Sequence, residues 1–266
     1  MSDSYNFISK TRVLFGAGKL SELGDAGLPG ARALVVTTGG KSVKANGYLD
    51  RVLGELERAG VSHVLFDRIE PNPLRETVNA GGWLARTEGC DFVLALGGGS
   101  VMDACKGICA VAANPVVAAD GSESARDVWD YVMGGTARGQ RIERDPLPLV
   151  CVTTTAGTGS EVDAGAVISC KQTDEKLRLG DPRLLPVLSV VDPELMLTVP
   201  ARLTAFQGFD ALFHNIECFI ANNHNLMGDM VCREGIRNAA AALPTCVNDG
   251  TDIDARTKLA FANTLG

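Results

Sequence analysis

Short apolar runs, each halted by glycines or hydroxyl-bearing residues and followed by a longer amphipathic stretch, constrain this chain more than any other feature. Residues 33–37, 64–67, 92–96, 148–152 and 187–192 are runs of this kind. Each is too short for a core helix and predicts a strand buried on both faces. Helical spacing of Leu49, Val52, Leu53 and Leu56 up to Gly60, then of 76–88, then of Val101, Ala104, Cys105, Ile108 and Val111, fills the intervals. Repeated strand–helix units build a parallel sheet with helices packed on it. Ser100 is placed to cap the helix beginning at Val101, and 120–141 reads as a polar loop anchored by Trp129 and Tyr131.

From Pro200 the strand signals stop, and 204–220, 227–243 and 252–265 read as helices. The expected organisation is an α/β domain over 1–197 followed by a helical domain over 198–266. Three helices cover one another's apolar faces poorly, so the second domain is expected to be incomplete and the chain to be the front of a longer one. The strand-like segment 5–15 is available to pair across an interface between two copies.

With 25 Lys+Arg against 32 Asp+Glu and no basic run, the chain lacks the electrostatic footprint of a nucleic-acid binder. No basic-then-apolar leader opens it, and no stretch reaches the roughly 18 apolar residues of a membrane span, so a soluble cytoplasmic protein is expected. Eight scattered cysteines without a C-x-x-C, several in apolar runs, read as reduced core thiols. Cys105 and Cys109, four apart, read as small packing residues.

Glycine between a buried strand and a helix lets backbone N–H groups approach a phosphate, and the helix terminus adds a favourable dipole. Gly97-Gly98-Gly99-Ser100 has that context, with Asp103 and Lys106 just inside the helix. A second loop of small and hydroxyl residues, 153–160, follows another strand; it suits a dinucleotide or, alternatively, a self-bonded polar turn. A third, Thr38-Gly39-Gly40-Lys41-Ser42, carries no acidic residue for an adenosine ribose. Lys41, Ser42 and Lys44 then suit a 2′-phosphate or are solvated surface groups. Gly16-Ala17-Gly18-Lys19 fails as a P-loop because Leu20 stands where a magnesium-binding hydroxyl belongs.

Asp210 and His214 stand one helical turn apart, where a carboxylate and an imidazole can reach one divalent ion or simply bond to each other. A catalytic metal needs at least one more protein ligand. His63 lies near a strand, and His224 falls in a turn as a cap or a solvent-facing group. The chain is therefore expected to supply only part of a metal site.

Four segments together resemble the iron-containing, metal-dependent (group III) alcohol dehydrogenases, related in fold to dehydroquinate synthase. They are 97–106 (GGGSVMDACK), 154–161 (TTAGTGSE), Asp192-Pro193-Glu194, and 208–214 (GFDALFH). The resemblance implies a Rossmann-like nucleotide-binding domain, then an all-helical metal-binding domain. It implies cofactor contacts at Asn72, Gly97, Gly98, Gly99, Ser100, Asp103, Thr154, Thr155, Thr158, Val167 and Lys176, together with the 38–42 turn at Thr38, Gly39, Gly40 and Ser42. It implies metal ligation by Asp210 and His214. The family's two further histidine ligands would fall beyond Gly266, so the C-terminal part of the pattern is expected to be absent.

The 38–44 segment looks like the butanol-dehydrogenase-like subgroup, which inclines the cofactor expectation from NAD toward NADP. The implied activity is hydride transfer between a primary alcohol or its aldehyde and NAD(P), with Fe²⁺ or Zn²⁺ polarising the substrate oxygen, in a homodimer. The alternatives are a non-catalytic dinucleotide-binding fragment, a metal-free reductase and a lyase on the same fold.

Overall fold

The computed structural model describes Ser4, Tyr5 and residues 10–266. In chain order it contains β1 (Arg12–Phe15), β2 (Arg32–Thr38), α1 (Ser42–Ala45), α2 (Tyr48–Arg58), β3 (Ser62–Ile69), α3 (Arg75–Thr87), β4 (Phe92–Gly97) and α4 (Gly99–Ala113). A small hairpin of β5 (Val116–Val117) and β6 (Glu123–Ser124) is followed by β7 (Leu149–Thr153), β8 (Gly165–Cys170), β9 (Glu175–Gly180) and β10 (Leu188–Val191). Three helices close the chain: α5 (Ala201–Ile220), α6 (Leu226–Asn248) and α7 (Ile253–Leu265).

Six strands form one parallel sheet in the order β1-β10-β7-β4-β2-β3. Successive side chains go to opposite faces. Ala33, Val35, Phe92, Leu94, Leu96, Val150 and Val152 face α2 and the 3-10 turn Lys19–Asp25. Leu34, Val36, Val93, Ala95, Leu149 and Cys151 face α3 and α4. Burial on both faces explains why these strands read as continuous apolar runs. The chain passes from β2 outward to β3 and returns to β4 on the other side of β2. The order therefore reverses between β2 and β4, and a crevice opens there beyond the strand ends.

Beyond the sheet, α5 and α6 form an antiparallel hairpin, and α7 packs on both. A third apolar cluster joins Ala156, Val191 and Met196 to Ala239, Leu243, Cys246 and Leu259, so the helices dock on the strand-end side of the sheet. One flank of the hairpin remains bare: Phe206, Phe209, Phe213 and Ile220 are exposed. Among the described residues no helix is long and apolar enough to cross a membrane.

Several expectations change. Ser100 is not the cap of α4; extended Gly98 takes that position without a side-chain bond, and Ser100 lies in the first turn, accepting from the Asn72 N–H. The α6 helix runs five residues beyond 243, through Pro244, because Leu243 and Cys246 are buried against the other helices and packing outweighs the one missing N–H. The β8–β9 hairpin escaped the sequence reading, since its alternation is that of half-buried strands. Within the segment 5–15, residues 12–15 pair with β10 in this chain's own sheet; residues 6–9 lie outside the described residues.

Candidate functional site

Loops from the C-terminal ends of β3, β4 and β7, the β8–β9 hairpin and helix α5 enclose a cleft of about 500 Å³. Of the residues singled out from sequence, Asn72, Gly99, Ser100, Asp103, Thr158, Val167, Lys176, Asp210 and His214 line it. Gly97, Gly98, Thr154 and Thr155 are not among its lining residues. Thr38, Gly39, Gly40 and Ser42 lie outside the lining, at the neighbouring strand end. Groups more than a hundred residues apart in the chain thus share one cavity.

The glycines at the start of α4 answer a steric demand. A Cβ on Gly98 would stand 2.8 Å from Thr155 Oγ1, and one on Gly99 would stand 2.6 Å from Thr158 Cγ2. The two loops touch backbone to side chain, and the Thr154 N–H donates to Gly97 O at 3.0 Å. Val101 and Met102 donate to Gly98 O, whereas the N–H groups of Gly99 and Ser100, both in the cleft wall, have no partner among the described residues.

Beneath this floor lies Lys106, whose side chain is fully buried. Its ammonium donates to Ser160 Oγ at 2.8 Å, Asp163 Oδ1 at 2.8 Å and Gly165 O at 2.7 Å, using all three protons. Asp103 accepts from Ser160 Oγ at 2.7 Å and from the Val167 N–H at 2.9 Å. Both carboxylate oxygens of Asp103 thus bond within this chain and hold β8 on α4, while the residue also lines the cleft. Burial pushes the Asp103 carboxyl up, with the nearby Lys106 charge opposing.

Glu161 was not singled out alone, although it closes the 154–161 motif. Its carboxylate is buried and accepts from Asn263 Nδ2 at 2.7 Å and Thr264 Oγ1 at 3.0 Å. The Gly159 N–H donates to Asn263 Oδ1 at 2.9 Å. These bonds tie the loop to α7, and burial raises the Glu161 carboxyl above its ordinary range. A carboxyl raised in the folded state contributes stability that is full below its unfolded pKa and is lost as pH rises through the folded value. Glu161→Gln keeps an accepting carbonyl without the charge. Its melting temperature is therefore expected to gain on the wild type by a few degrees as pH climbs from acid to weakly alkaline. Parallel curves from scanning fluorimetry across that range would contradict this assignment.

On the far side of the cleft's mouth, Asn72 adopts a left-handed backbone with φ +57 and accepts from Lys176 Nζ at 2.9 Å. At the end of β2, Gly40 N donates to Thr38 Oγ1 at 3.3 Å, while Lys41 and Ser42 are exposed. Lys44, read from sequence as a partner for a 2′-phosphate or a solvated surface charge, pairs with Asp67, whose carboxyl it holds below the usual range.

Asp210 and His214 face each other one turn apart on α5, with Nε2 to Oδ1 3.7 Å and both side chains partly exposed to the cleft. Burial lifts the Asp210 carboxyl, and the imidazole opposes that. Two donors at this separation can both reach one ion at ligand distances of about 2.0–2.2 Å. Among the described residues, no third histidine, cysteine or carboxylate joins them as a ligand cluster. His63 lies in β3, away from the cleft, and His224 bonds Asp229 through Nδ1 at 3.1 Å. Asn225, not His224, caps α6. The pair fits part of a metal site and not a whole one.

Sheet order, strand-end cleft and flanking helical lobe define a doubly wound α/β protein whose crevice is closed by helices. The sequence model of the iron-containing alcohol dehydrogenases matches residues 10–193, and that of the Fe-containing alcohol dehydrogenase family's C-terminal part matches 204–266. The chain belongs to the iron-containing alcohol dehydrogenase family. The C-terminal pattern expected to be absent is therefore represented, from 204 to the last residue.

Choline dehydrogenase of Bacillus subtilis is 36% identical over 100% of this chain and 63% of its own length. NADH-dependent butanol dehydrogenase B of Clostridium acetobutylicum is 34% identical over 98% of this chain and 63% of its own. The archaeal halo-thermophilic Red Sea brine pool alcohol dehydrogenase ADH/D1, solved bound to NZQ, superposes with a TM-score of 0.91 at 35% identity, covering 100% of this chain and 65% of that one. The chain thus spans less than two thirds of the length of these relatives.

Proposed function

We propose that this chain forms the nucleotide-binding lobe, divided at 197/198 from part of the helical lobe, of an NAD(P)-linked alcohol dehydrogenase that interconverts a primary alcohol and its aldehyde. The observation that carries the reading is the single cleft holding both the α4 terminus with its threonine loop and the Asp210–His214 pair. The N–H groups of the first α4 turn and the hydroxyls of Thr158 and Ser100 suit the cofactor phosphates, and Lys176 with Asn72 suits a ribose or phosphate at the mouth. Asp210 and His214 would hold a divalent ion, Fe²⁺ or Zn²⁺. When bound, the dinucleotide supplies the hydride carrier and the ion a Lewis acid for the substrate oxygen. The chain's own part is to fix both along one wall and to keep the reacting carbon near each.

With Lys44 engaged by Asp67, a preference for NADP rests on Lys41 and Ser42 alone, and discrimination between NADPH and NADH of under about tenfold is expected. A cytoplasmic homodimer acting on a small alcohol or aldehyde, without nucleic acid or membrane, completes the reading and rests on the family resemblance. The test is fluorescence titration with NADH and NADPH, then reduction of butyraldehyde after loading with Fe²⁺ or Zn²⁺. Micromolar binding with metal-dependent turnover supports the proposal. Binding with no turnover under either metal favours a dinucleotide-binding module, and no binding removes both.

A further inference from the structure

Arg178 lines the cleft but has no part in the site described so far. It lies two residues beyond Lys176 on β9, on the same face, and opposite Val167 in the β8–β9 register. Its backbone is pinned, since the Met133 N–H donates to Arg178 O at 2.9 Å. The guanidinium lies over two glycines paired across the hairpin: a Cβ on Gly165 would stand 3.4 Å from Nε and Nη2, and one on Gly180 3.6 Å from Nε. That bare backbone floor leaves room for a flat, forked side chain. The nearest carboxylate candidate in the wall, Asp163, is already bonded to Lys106 and to the Gly165 N–H. Among the described residues, no hydrogen bond or ion pair of the Arg178 guanidinium is formed, whereas Arg12, Arg58, Arg75, Arg86, Arg183 and Arg256 are all engaged.

A guanidinium left free in a cleft and placed beside a lysine is suited to take two oxygens of one oxyanion. We propose that Arg178 is an oxyanion-binding residue of this cleft, acting with Lys176 on either a phosphate of the dinucleotide or an acidic group on the substrate. The inference rests on the functional reading above for its ligand, and on the hairpin geometry alone for the site. Both sources present the same chemistry, two or more anionic oxygens, and they separate by experiment.

The variants are Arg178→Gln and Arg178→Lys, both at an exposed position, with a melting temperature like that of the wild type as the folding control. Affinity for NADH, affinity for inorganic pyrophosphate, and the KM values of butyraldehyde and of a short aldehyde ending in a carboxylate are measured for each. If the cofactor is the source, Arg178→Gln weakens NADH and pyrophosphate by about tenfold to a hundredfold, and Arg178→Lys recovers only part of this. If the substrate is the source, NADH affinity holds and only the KM of the carboxylate-bearing aldehyde rises by that factor. Wild-type protein that binds pyrophosphate through Arg178 yet binds no NADH would remove the dehydrogenase reading and keep this one. Arg178→Gln matching the wild type in all four measurements would overturn it.

Discussion

Replacing His214 with alanine is expected to lower metal-dependent reduction of butyraldehyde by about a thousandfold while NADH affinity stays close to that of the wild type. Asp210 and His214 are the two donors that α5 turns into the cleft, 3.7 Å apart. Asp210 alone, partly exposed and with its carboxyl raised by burial, is a poor single ligand. A Lewis acid at the substrate oxygen is worth several kcal/mol of transition-state stabilisation, and three decades of rate correspond to about 4 kcal/mol. In the proposed reading the dinucleotide would be held by other elements, α4, the 154–161 loop and β9, so affinity for NADH has no reason to follow. Metal content by mass spectrometry should fall together with turnover. A variant that turns over like the wild type at full metal content would show that the pair is merely an i,i+4 contact on a solvated helix face.

Lys106→Met is expected to cost about 3 kcal/mol of stability, a drop of about 6–12 °C in melting temperature. Methionine fills the stem but leaves three acceptors without their donor. Asp163, with half of its side chain exposed, can turn to water. Ser160 and Gly165 O cannot do so as easily, and Asp103 loses the cation that offsets its desolvation. Lys106→Arg should not restore stability, because a planar fork cannot aim at three acceptors around a compact ammonium. Calorimetry of both variants is the check; a shift under about 2 °C would mean that the network contributes little.

The strands most visible in the sequence, 33–37, 92–96 and 148–152, are those buried on both faces, where nothing interrupts the apolar run. The 165–180 hairpin was invisible because half-buried strands mix charged and apolar residues, as Glu175-Lys176-Leu177-Arg178 does. Lys106 and Glu161 belonged to legible motifs, yet their roles were not legible. Each acts by bonding across 54–103 residues of chain, to Ser160 and to Thr264 at the extremes. Similarly, only the structure separates Lys44, bonded to Asp67, from Lys41.

Sequence alone determined the local terms: where the doubly buried strands and the long helices lie, that glycines follow β4, and that Asp210 and His214 share a helix face. Those follow from side-chain periodicity and backbone freedom, which act over a few residues. Tertiary structure decided that Gly98 and Gly99 face threonines of another loop, that Asp103 bonds to β8 from the cleft wall, and that Arg178 has no partner in the cleft among the described residues. Such outcomes depend on how a doubly wound sheet brings distant strand ends together, and no local pattern encodes that distance.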